Sequence, residues 1–133
     1  TVGDAELSQT ATAFHNHFAR AQWLLSQEEG RERMAEHLER EAERDAFVSA
    51  YARHKEQIPE EKQSQPTALE AARKMAEHDA ENDEPVRTWR NRKIRHAVEA
   101  RELKALAAIY DKAVWRINEE LERRARLQTT RPS

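Results

Sequence analysis

The sequence predicts an all-α protein, a bundle of three or four helices with a long C-terminal helix, and three observations carry that expectation. Backbone breakers are scarce. Among 133 residues there are two glycines, Gly3 and Gly30, and four prolines, Pro59, Pro66, Pro85 and Pro132, too few for many short strands and tight turns. Strong helix formers (Ala, Glu, Arg, Lys, Leu and Gln) dominate the chain. Apolar residues recur three and four positions apart, the period of a helix face. Charged residues make up 36% of the chain and mean hydropathy is -1.06, polar enough to raise the question of disorder. Three Trp, three Phe and two Tyr at helical spacing favour a folded chain.

A first helix is expected over residues 4–26. Leu7, Ala11, Phe14, Phe18, Ala21 and Leu25 form one unbroken stripe on it, with Phe14 and Phe18 as core and Trp23 off the stripe. Gly30 reads as a stop or kink. A second helix is expected over 31–57, with Met34, Leu38, Ala42, Ala46 and Ala50 on one side, widened by Phe47, Val48 and Tyr51. Pro59 ends it, because the residue before a proline avoids helical geometry. Residues 59–65 read as a polar linker. A third helix is expected over 67–82, opened by the capping-box pair Thr67 and Glu70. Its thin face consists of Leu69, Ala72, Met75, Ala76 and Asp79. A fourth is expected over 86–127, with Pro85 near its start, where a missing N–H costs little. At about 1.5 Å per residue it would span roughly 60 Å, long for a single domain of this size. Its apolar stripe widens from Leu103 to Leu121, with Trp115 expected in the core. The whole of residues 1–133 reads as one helical domain without internal repeats.

Several function classes drop out on composition. Without cysteine there are no disulfides, thiolate nucleophiles or Cys-based zinc sites; this fits the reducing cytoplasm. The longest apolar run, Ala105 to Tyr110, is far short of the roughly 20 residues of a membrane span, and no signal peptide is evident. No membrane association is therefore expected. The chain starts at Thr1, which leaves open a removed methionine or a piece of a longer protein, such as a helical domain cut from an enzyme.

Catalytic and metal chemistry find little support. His15 and His17 stand two apart and point in different directions on a helix. His37 with Glu41 and His78 with Asn82 can each face together. No Glu-x-x-His pair or HExxH motif occurs, and no metal or cofactor is expected. Carboxylates are abundant, and only Asp79, on the thin face of the third helix, sits where burial could raise its pKa; it reads rather as a face-edge residue or a member of an ion pair. With two glycines, a phosphate-cradling loop is nearly excluded. A non-enzymatic protein with no catalytic residues is expected.

Charge is the most unusual feature. Residues 1–85 carry 10 Lys/Arg against 19 Asp/Glu, and residues 86–133 carry 13 against 6. Within 87–96 five bases stand with no acid. Either this segment pairs with the protein's own acidic helices, or it binds an acidic ligand. The leading expectation is a protein-interaction or assembly module, a homodimer or a complex with another protein, using Leu103, Leu106, Ile109, Tyr110, Ile117 and Leu121. The alternative is a nucleic-acid-binding accessory protein. There Arg87, Arg90, Arg92, Lys93 and Arg95 would lie on phosphates, with Trp89 stacking on a base.

Overall fold

The computed structural model describes residues 2–130. The fold is all-α, with α1 over Asp4–Glu56, a 3-10 turn over Glu60–Lys62, α2 over Pro66–Glu81 and α3 over Glu84–Thr130. Among the described residues the bundle thus has three α-helices, the last of them the long C-terminal one. No helix among the described residues is long and apolar enough to cross a membrane.

Expected helix ends shift by one to three residues, α3 covering Glu84–Thr130 in place of 86–127, and two differences lie at Gly30 and at the start of α2. The stop at Gly30 is absent, and the expected helices 4–26 and 31–57 are one helix of 53 residues. A glycine stop needs a left-handed backbone, and no described residue has a positive φ. The less exposed positions Ala21, Leu25, Glu28, Glu32, Ala35 and Glu39 keep a three–four spacing straight through Gly30, so the buried face continues where the glycine weakens the helix. A Cβ at Gly30 would meet nothing within 4 Å. Gly30→Ala is therefore expected to raise stability by about 0.5–1 kcal/mol, the usual helix-interior difference. The readout is the urea midpoint, and a fall would mean that α1 needs a pliant joint there. The second change is at α2, which starts one residue earlier, at Pro66. Its N-cap Gln65 makes no side-chain cap bond, and Glu70 accepts a hydrogen bond from Arg73 at 2.7 Å. The capping box is therefore not formed.

Contacts divide the chain into two units, Thr1–Glu29 with Val98–Ser133, and Gly30–Ala97. In the first, α1 and α3 run antiparallel. Arg124 binds Asp4 Oδ1 at 3.0 Å and the Val2 carbonyl at 2.7 Å, while Phe14 and His17 meet Tyr110 at ring distances of 5.9 and 5.2 Å. The stripe expected on α1 is the seam. Ala11 and Ala21 are buried, and Leu7, Phe14, Phe18 and Leu25 are half-buried. Facing them, α3 offers Ala100, Leu103, Ala107, Tyr110, Val114, Ile117 and Leu121 at alternating steps of three and four, the spacing of a coiled-coil seam. Two helices leave little room to enclose a large apolar side chain, and the buried residues of this unit are the alanines Ala11, Ala21, Ala100 and Ala107 together with Glu28. Trp115, expected in the core, is 61% exposed, because it sits one position past the seam residue Val114.

The second unit holds α2 against the later part of α1, again antiparallel. His54 meets Asp79, while Arg40 and Phe47 share a groove with Glu77 and Ala80. Ala72, Ala76 and Ala80 are buried to 3% exposure or less. Four residues apart, they make one smooth ridge that lets backbones approach closely. The face expected around Met75 is thus rotated, and Met75 is exposed. The face expected on the later part of α1 is off by one position as well. That shift is confined to part of the face: Met34 and Val48 are exposed and Ala35 and Glu39 are buried, whereas Ala50 is buried as expected and Leu38, Ala42, Ala46, Phe47 and Tyr51 are half-buried. Val86, at the start of α3, is the largest side chain fully buried.

Candidate interaction surfaces

The rotation of the α1 face has a chemical cause. Glu39, only 7% exposed, occupies the inward position that hydrophobicity alone would assign to an apolar neighbour. Arg90 Nε donates to its Oε1 at 3.0 Å, and Lys93 Nζ lies 2.8 Å from Oε2. Burial pushes this carboxyl up, but the hydrogen bonds and charges of Lys93 and Arg90 together outweigh it and hold it below the usual carboxylate range.

This pairing splits the basic segment of α3. Arg90 and Lys93 are half-buried and spent inside the second unit, as the intramolecular reading expects. Arg87, Arg92 and Arg95 remain exposed. Trp89 is half-buried, and the Arg92 guanidinium lies 4.6 Å from its ring centroid, so this ring already stacks on a cation rather than waiting for a base. Thr88, Asn91, Arg92 and Arg95 line one shallow depression.

The second surface is the solvent side of α3 in the first unit. Of the six residues expected to bind a partner, Leu103, Tyr110, Ile117 and Leu121 are half-buried at seam positions. Leu106 and Ile109 point outward, Ile109 with 63% exposure. Val98, Ala105 and Ile109, all exposed, share one outward face of α3, with Leu106 on one flank and the exposed Ala108 and Trp115 on the other. Sequence reasoning missed Val98 and Trp115 because a wide apolar stripe does not say which part its own hairpin covers. The signal was present: Val98, Ala105 and Ile109 repeat at steps of seven and four, a second stripe offset from the first.

The histidines divide into pairs. His37 Nε2 lies 3.1 Å from Glu41 Oε1, the pairing their spacing suggests. Asn82 Nδ2 donates to the His78 carbonyl at 2.9 Å, so those two meet through backbone. His54 Nε2 meets Asp79 Oδ2 at 2.6 Å, and Arg53 lies 3.8 Å from the same oxygen. The His54 hydrogen bond draws the Asp79 carboxyl below its ordinary value, in line with the ion-pair reading of this residue and against a pKa raised for acid–base use. A cavity of about 290 Å³ beside His54 is lined by Ile58, Ala68, Ala72 and Met75 among others. No serine or threonine lines it, so a nucleophile for a His–Asp pair is not provided there. The pair clamps α2 to α1.

No known family, curated protein or solved structure matches the chain.

Proposed function

We propose that this protein is a non-catalytic helical assembly module that pairs the solvent side of α3 in one copy with the same face of a second copy. The observation that carries the reading is the outward face of Val98, Ala105 and Ile109, flanked by Leu106 and Trp115, apolar side chains left outside a hairpin whose seam is already filled. A second copy fits because the face is self-complementary about Ala107. Antiparallel pairing there sets Ala105 opposite Ile109, small against large, and Glu102 opposite Lys112, each twice by symmetry. Trp115 then flanks the Val98 end of the partner helix.

Light-scattering mass over a concentration series tests this. The expected result is a dimer that becomes monomeric on dilution. Ile109→Glu with Trp115→Glu should give a monomer at every concentration with unchanged helical circular dichroism. Glu102→Lys alone should weaken association about threefold to tenfold, since two exposed charge pairs contribute roughly 0.3–0.7 kcal/mol each. Adding Lys112→Glu should restore it. A monomer at all concentrations rejects self-association, and failure of the charge swap to rescue rejects the antiparallel register.

A further inference from the structure

We propose that the outward arginines of α3, Arg87, Arg92 and Arg95, form a row that binds the phosphate backbone of a nucleic acid without reading its bases. The row exists because the fold sorts the basic segment. Glu39 draws Arg90 and Lys93 inward and leaves the other three exposed. Arg92 and Arg95 share a depression with Thr88 and Asn91; the Thr88 hydroxyl donates to the Glu84 carbonyl at 3.0 Å, so guanidinium and amide groups are the donors its lining offers to phosphate oxygens. Arg92 and Arg95 stand within one turn of each other, on the order of 5 Å apart along the axis, and Arg87 flanks them, about 140° round the helix from Arg92. Trp89 stacks against Arg92 and limits the freedom of that guanidinium, which lowers the entropy lost on binding.

The lining of the depression favours a polyanion over an acidic protein. A protein interface takes most of its affinity from aromatic or aliphatic anchors at its centre, and the depression has none in its lining. The absence of base readout follows from Trp89, half-buried and already stacked. The row is short. Glu84 lies one turn before Thr88 and Glu99 one turn after Arg95, which leaves space for about three phosphates. That number sets the expected salt dependence, a slope of about -2 to -3 in log affinity against log salt.

The test is fluorescence polarisation of a labelled mixed-sequence 20-base-pair duplex and of the corresponding single strand, with the whole chain, from 25 to 200 mM salt. The expected result is binding at low salt with that slope, the steeper value for the duplex. Arg92→Glu with Arg95→Glu should weaken binding at least tenfold and flatten the slope. Arg20→Glu with Arg33→Glu, both exposed and carrying the same change in charge, should lower affinity less than threefold. The monomeric Ile109→Glu, Trp115→Glu variant should keep the slope, since the row lies within one copy; failure of dimerisation and failure of this site are thereby distinguishable. No binding at 25 mM salt overturns the proposal. So does an equal loss in the Arg20, Arg33 variant, which would reduce the effect to net charge. Displacement of the duplex by polyglutamate at equal charge concentration also overturns it, in favour of an acidic protein.

Discussion

Glu39→Ala is expected to destabilise the protein by about 2–3 kcal/mol, far more than an ordinary polar substitution on a helix. Removing one member of a buried ion pair typically costs about 3–5 kcal/mol, because the partner is left desolvated and uncompensated. The lower figure applies here because the Arg90 and Lys93 side chains keep 37% and 31% exposure and can turn toward water. Arg90→Ala or Lys93→Ala alone should cost about 1 kcal/mol, since Glu39 keeps its other partner. Replacing all three by leucine should recover most of the loss, because an apolar set of similar volume needs no desolvation to be repaid. Urea unfolding of the four variants checks the pattern, and a triple variant no better than Glu39→Ala would sink the account.

The same network sets the acid limb. The folded-state pKa of Glu39 is depressed, so its contribution is fully present above the unfolded value of about 4.3. It is lost as pH falls through the folded pKa. Asp79 is depressed as well, and Glu120, bound by Arg123 and Arg124, is drawn down to about 2. Stability should be level above about pH 5 and fall below pH 4, with a shallower fall in Glu39→Ala. A wild-type midpoint unchanged from pH 6 to pH 3 would contradict the depressed carboxylates.

Ala76→Leu is expected to cost about 2–3 kcal/mol, whereas Met75→Ala, one residue away, should cost less than about 0.5. Ala76 has no exposed surface and lies between Ala72 and Ala80 on the ridge of α2. Three added carbons have no space there and must separate the helices or strain their rotamers. Met75 is 52% exposed, and trimming such a side chain removes little buried area. Hydrophobicity alone ranks the two sites the other way. Chemical unfolding of both variants decides the matter, and a tolerated leucine would show that α2 packs loosely.

Most of the first unit was legible in sequence. The stripe from Leu7 to Leu25 is the observed seam, because apolar side chains at three–four spacing have no other way to leave water. Gly30 was misread because a helix-weakening residue stops a helix only if the buried face also ends, and that face continues. The α1 face near Met34 was misread because counting apolar residues cannot see that Glu39 is buried by two cations far along the chain. The candidate surfaces were half legible for a related reason. Composition marked both the basic segment and the apolar reach of α3, but not which members the fold would use itself.

By itself the sequence determined the all-α class, the long C-terminal helix and the charge division between the chain's two parts. These follow from propensity, periodicity and counting, which are local properties. Only tertiary structure decided which side of each helix is inside: that Arg90 and Lys93 turn to Glu39 while Arg87, Arg92 and Arg95 face water, and that Leu103 and Tyr110 serve the seam while Ile109 and Trp115 do not. The energy of a side chain depends on the partner that reaches it, and that partner is set by pairing between distant segments.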